Sequence, residues 1–226
     1  MAQSELDEAG WGEQSRNEPR WPASLAVALA IALYVVLPPQ LLVSIGPRWL
    51  IPALEAALVV TLTLVSPRRM SAEVTALRVA SIVLIALINL ANAVSLAELI
   101  RALLAGSGPG GRKLVYSSVP IWLTNVLVFA LWYWELDRGG PAARLQRHHR
   151  EPDFLFPQMA NPQAARPGWS PKFLDYLYTS FTNATAFSPT DTMPLTAWAK
   201  LLMMLQSFAS LVTVALVVSR AVNILK

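Results

Sequence analysis

The sequence contains no cysteine, which excludes disulfides, thiolate nucleophiles and thiolate metal sites. Glycine is scarce, and none follows Gly168. The C-terminal part of the chain therefore has no residue that takes left-handed backbone at little cost. Charge is missing from four long runs: 27 residues between Arg20 and Arg48, 19 between Arg78 and Glu98, 21 between Lys113 and Glu135, and 19 between Lys200 and Arg220. Also missing are a nucleotide loop, a calcium loop, arginines repeated every third residue of a span, an HExxH helix, a Ser/His pair and paired intramembrane aspartates. Those absences point away from an enzyme and from any cofactor or metal site.

What the 226 residues do contain is hydrocarbon: 54% are hydrophobic and the mean hydropathy is +0.45. Each uncharged run is long enough to cross a ~30 Å hydrocarbon core as a helix. A fifth candidate, Arg48 to Arg68, is interrupted by Glu55, whose carboxylate lies near enough to the start of the span to snorkel to the interface. The expected fold is an all-α integral membrane protein with five transmembrane helices, multi-pass in the cell (inner) membrane, with membrane lipid as a partner. The net charge of +4 and pI near 9.7 would suggest nucleic acid in a soluble protein. Here the basic residues fall in the loops flanking the spans, so they read as anchors and topology signals, with no nucleic-acid partner.

Residues 1–22 form an acidic tail, with Glu5, Asp7, Glu8, Glu13 and Glu18, whose composition is that of a disordered segment. The next region, 23–111, holds three helices. The first, about Ala23 to Ile45, is bent or ended at Pro38-Pro39; the second runs from about Trp49 to Pro67. The third starts near Ser71-Ala72-Glu73 and carries Asn89 and Asn92 on one face, a pair suited to interhelical hydrogen bonding, and Glu98 and Arg101 at ion-pair spacing. The fourth span, Leu114 to Trp134, ends in Trp132-Tyr133-Trp134, an expected headgroup belt. The connector 135–172 contains Arg147-His148-His149-Arg150, where flanking arginines repel a metal cation, and Phe154-Leu155-Phe156, apolar enough to lie on the bilayer or under the following helix. Asn183-Ala184-Thr185 matches a glycosylation sequon inside a segment expected to be buried.

That segment, Phe173 to Thr196, organises the rest. An amphipathic stretch rich in aromatics and hydroxyls gives way to Ser188-Pro189-Thr190-Asp191, which cannot continue a helix because Pro189 has no amide donor and disfavours the helical region for Ser188. It reads as a helix that enters the membrane, stops partway and returns as a loop, backbone that is tolerated at that depth only inside protein or beside water. In the last helix Gln206, Ser210 and Thr213 fall at spacings of four and three and make one polar stripe, continued by Val217. The stripe is either a pore wall or a helix-packing seam.

The order Ser180-Phe181-Thr182, Thr185, a five-residue turn, Asp191, Pro194, Thr196 and a long apolar helix resembles the pore module of tetrameric potassium channels, in the degenerate form of a bacterial multi-pass membrane family. The resemblance covers residues 114 to 225 at most and implies an outer helix 114–134, a connector 135–172, a pore helix and loop 173–196 and an inner helix 197–225 within a module of residues 112–226. It sets the filter at Thr185, Ala186, Phe187, Ser188, Pro189 and Thr190, with Asp191 in the family's acidic position. Ser188 and Thr190 stand where the family has glycines and Pro189 where it has tyrosine, so a potassium-selective ladder of carbonyls is not expected. The implied function is a homotetrameric pore for monovalent cations with a non-standard filter, its inner helix lined by Gln206, Ser210, Thr213 and Val217. The alternative is a non-conducting membrane scaffold that keeps the pore fold only structurally. The distribution of basic residues favours a cytoplasmic N-terminus and a loop entering from the cytoplasmic side, similar to ionotropic glutamate receptors and opposite to potassium channels.

Overall fold

The computed structural model describes residues 21–42, 52–53, 74–105, 111–145, 151–161, 163, 165–166, 168–185 and 191–224. Five helices carry the fold: α1 (Trp21–Val36), α2 (Val74–Ala105), α3 (Gly111–Leu136), α4 (Phe173–Thr185) and α5 (Ala197–Ile224). Between α3 and α4 lie two short 3-10 turns, a two-residue strand β1 (Phe154–Leu155) and one helical turn at Pro157–Ala160. Strand β2 (Met193–Pro194) precedes α5. The segments Arg78–Ala105, Lys113–Gly139 and Ala197–Ser219 are long and apolar enough to cross a membrane.

The first expected span is shorter than the sequence suggests. Helix α1 has 16 residues and stops before Pro38-Pro39, because proline can neither donate to the preceding turn nor allow its predecessor to stay helical. A 3-10 turn, Pro39–Leu41, follows. The second expected span and the proposed start of the third at Ser71-Ala72-Glu73 lie outside the described residues, as does Arg147-His148-His149-Arg150. Glu98 and Arg101 form the expected ion pair, at 2.7 Å.

Helix α3 is the hub, and all four other helices run antiparallel to it. Ala23 to Ala30 of α1 share a core with Leu127 to Trp134 of α3, while Tyr34, Leu37 and Leu41 pack in a second core with Leu114 and Ile121. Helix α2 starts at the same end as α1, since Arg78 approaches Glu135 at 3.9 Å. Helix α4 also starts there, with Phe173 edge-on to Trp134, and carries Phe181 down to Trp122. Helix α5 runs alongside, bringing Ser210 to Trp122 at 2.7 Å. Pro120 lies inside α3 and removes one intrahelical bond next to this contact.

Being the hub changes the role of the aromatic run. Tyr133 and Trp134 are buried and Trp132 is half-buried, because α4 and the connector cover that end of α3. Phe154 is fully buried against Tyr133, Tyr176 and Trp198, so this connector segment packs under α4. Strand β1 pairs antiparallel with β2, Phe154 opposite Pro194 and Leu155 opposite Met193. The chain that leaves α4 thus comes back to the end from which α4 started.

Candidate functional site

The polar side chains of α3, α4 and α5 meet in one buried network. Gln206 is fully buried and uses all its hydrogen-bonding capacity. Its Nε2 donates to the Ser180 carbonyl at 3.0 Å and to the Ser180 hydroxyl at 2.6 Å. Its Oε1 accepts from the Tyr133 hydroxyl at 2.6 Å and from Asn183 Nδ2 at 2.7 Å. Asn183 Nδ2 also donates to the Met203 carbonyl at 3.0 Å, and Asn183 Oδ1 accepts from Ser207 at 3.0 Å. Ser180 donates to the Val126 carbonyl at 2.7 Å. One turn further along α5, Ser210 donates to the Ala184 carbonyl and accepts from Trp122 Nε1.

This arrangement follows from helix periodicity. Gln206, Ser210 and Thr213 share one face of α5, while Ser180, Asn183 and Ala184 share one face of α4, so two polar stripes run side by side over α3. Of the two uses open to the α5 stripe, packing within the chain is what the structure shows: Gln206, Ser210 and Thr213 are all buried. Thr213 bonds the Ala209 carbonyl of its own helix at 2.7 Å. Val217 is half-buried. The outward face of α5 is apolar instead, with Leu201, Met204, Leu205, Phe208, Leu211 and Val218 exposed. The Asn183 sequon lies within this network, its side-chain amide already occupied.

Of the filter-like residues, Thr185 is half-buried and bonds the Thr182 carbonyl at 2.9 Å. Asp191 is exposed. Ala186, Phe187, Ser188, Pro189 and Thr190 lie outside the described residues. Thr192, just past them, is buried and its hydroxyl meets that of Thr179 at 3.2 Å.

A second cluster, which sequence reasoning missed, locks the end of α3. Asp137, Arg138 and Arg144 are almost wholly buried. Asp137 Oδ2 accepts from the Tyr176 hydroxyl at 2.6 Å and from Arg138 Nε at 3.2 Å, while its Oδ1 accepts from the Asp153 amide at 2.9 Å. Asp153 reciprocates by accepting from the Arg138 amide at 2.8 Å, and it also takes a hydrogen bond from Trp198 Nε1 at 2.9 Å. Arg144 Nη1 caps α3 by donating to the carbonyls of Trp134 and Asp137 at 2.8 and 3.0 Å, where a cation also complements the helix dipole. Its guanidinium lies over the Tyr176 ring, 5.3 Å from the centroid. The chain turns away from α3 through three successive left-handed residues: Arg138 at φ 53°, Gly139 at 84° and Gly140 at 98°. The one sequence signal for this cluster is the pair of opposite charges Asp137-Arg138, two residues past an aromatic run.

At the start of α4 the Asp175 carboxylate accepts the Lys172 amide at 2.7 Å, half of a capping box. Burial pushes this carboxyl above its ordinary 3.8, against the opposing pull of the Lys172 amide and charge. Burial likewise raises the Tyr176 phenol well above its usual value. No three His, Cys, Asp or Glu side chains converge on a metal-sized site among the described residues. Among the described residues, the α4–α5 network offers hydrogen bonds from uncharged buried groups, and the cluster at the end of α3 offers them from buried charged ones. No protein family matches the chain, and neither the curated proteins nor the solved structures contain a match to it.

Proposed function

We propose that this chain is a multi-pass protein of the cell membrane whose residues 114–225 form a pore-loop module, four copies of which surround a path for monovalent cations with little preference for potassium. The observation that carries the reading is that α4 and α5 start at the same end of α3 although they are consecutive helices. Helix α4 has 13 residues and rises about 20 Å, short of a ~30 Å hydrocarbon core. The chain is back beside Thr179 by Thr192 and beside Leu155 by Met193. A helix that stops partway and doubles back on its own side is the re-entrant element a pore loop needs. A closed axial path requires several copies, because one loop cannot encircle an ion.

The count of five spans draws support from the same frame. Leu41 packs with Leu114 at one end of α3, whereas Arg78 approaches Glu135 at the other. A span within residues 49–66 would carry the chain from the first of these ends to the second. With the stripe of Gln206, Ser210 and Thr213 turned inward, the wall of the path falls to the outward face of α5, around Met204, Phe208 and Leu211. An apolar wall of that kind gates by wetting and dewetting.

The second reading, a non-conducting scaffold, is favoured by that same inward stripe, which serves cohesion between α4 and α5. Reconstitution separates the two. The pore reading expects tetramers in mild detergent and a cation flux from liposomes that discriminates weakly between potassium and sodium. Sealed liposomes together with monomers or dimers would leave the scaffold.

A further inference from the structure

Helices α1 and α4 both lie on α3 and leave between them a groove of about 350 Å³. Leu29 and Leu33 form one wall, Leu177 and Phe181 the other, and Leu123 and Leu127 the floor. No polar atom lines it. Leu123 and Leu127 lie near the middle of the 27-residue segment Lys113–Gly139, so the groove opens at the depth where the surrounding solvent is hydrocarbon.

We propose that this groove holds one acyl chain of a membrane phospholipid. Three observations select that occupant. The lining offers dispersion contacts only, so nothing in the groove would satisfy a polar ligand. Its volume lies at the small end of ligand sites, too little for a partner's helix, whose diameter with side chains is about 10 Å. Both walls begin at the same end, with Trp21 exposed at the start of α1 and Lys172 exposed just before α4. An indole and an ammonium there suit the headgroup zone and the phosphate of the lipid whose tail fills the groove. The acyl chain would press on Phe181, which packs edge-on against Trp122 with centroids 5.9 Å apart. Trp122 in turn holds Ser210, so the lipid buttresses the α4–α5 network.

The proposal rests on the membrane reading and not on conduction, and its test has no flux readout. The full chain, purified in mild detergent, is expected to retain one phospholipid per copy in native mass spectrometry. Filling the groove by Leu29→Trp with Leu123→Trp should lower that occupancy about tenfold, while Leu90→Trp on the exposed face of α2 leaves it unchanged. Two added indoles also threaten folding, so a second measurement uses the absence of cysteine. A nitroxide on Leu33→Cys and another on the acyl chain of an added phosphatidylcholine should give one narrow short distance. Equal lipid retention in the filled variant, or a broad distance distribution, overturns the proposal. So does a dimer that falls to monomers in the filled variant with its lipid count unaltered, which would assign the groove to a second copy.

Discussion

Gln206 and Ser180 are joined twice: one amide nitrogen of α5 donates to both the hydroxyl and the carbonyl of the same α4 residue, at 2.6 and 3.0 Å. A hydroxyl that accepts from Gln206 also donates to the Val126 carbonyl. Three helices are therefore held in register by two side chains. Interhelical hydrogen bonds at membrane depth contribute ~0.6 kcal/mol each, so the four bonds of Gln206 amount to about 2 kcal/mol. Gln206→Leu should lower stability in detergent by that order, with a larger loss where Asn183 and Tyr133 are left unsatisfied. A variant that keeps its melting temperature while its cation flux changes would place Gln206 on a water-filled path instead.

The cluster at the end of α3 predicts a steeper effect. Asp137→Asn keeps the shape but leaves the Arg138 guanidinium, itself buried and with Nη2 unpartnered among the described residues, without its counter-charge. Breaking a buried pair in this way costs about 3–5 kcal/mol. Replacing Asp137 and Arg138 together by uncharged residues should cost less than Asp137→Asn alone. Additive losses in a double-mutant cycle, read by thermal unfolding, would show that the two charges do not depend on each other.

How much of this was legible in the sequence follows from the range of each signal. Helices α3 and α5 show as uncharged runs, because that is a local property of composition. The face of Gln206, Ser210 and Thr213 was equally visible. Its direction was not, since a polar stripe points towards whatever partner the tertiary fold supplies, here Ser180 and Asn183 from a helix some two dozen residues away in sequence. The union of Asp137, Asp153 and Tyr176 was illegible for the same reason: 16 and 39 residues separate them from Asp137, and neither spacing has a period. That Tyr133 and Trp134 face a core was equally hidden, because aromatics serve interfaces and cores alike.

The turn after α3 needs a residue without a side chain. Gly140 sits at φ 98°, and a Cβ built there would lie 2.8 Å from the Glu135 carbonyl oxygen. Backbone cannot yield as a flexible side chain can, so Gly140→Ala combines left-handed strain of order 1–3 kcal/mol with a clash that displaces the α3 terminus. Among the described residues Gly139→Ala meets the Ala143 methyl, at 3.2 Å, and should cost less. Equal melting temperatures for the two variants would contradict this ranking.

Asp175 predicts the pH dependence of α4. Burial raises its pKa above 3.8, so the folded chain binds this proton more tightly than the unfolded chain does. The linked stability is therefore present at low pH and is lost as pH rises from the ordinary carboxylate range through the raised value. Asp175→Asn keeps an acceptor for the Lys172 amide but cannot ionise. Relative to the parent, the variant should gain melting temperature as pH rises from about 4 and hold a constant difference once the raised value is passed. Parallel pH profiles for the two proteins would mean that the Lys172 amide and charge fully offset the desolvation of the carboxylate. The start of α4 would then carry no proton-linked stability.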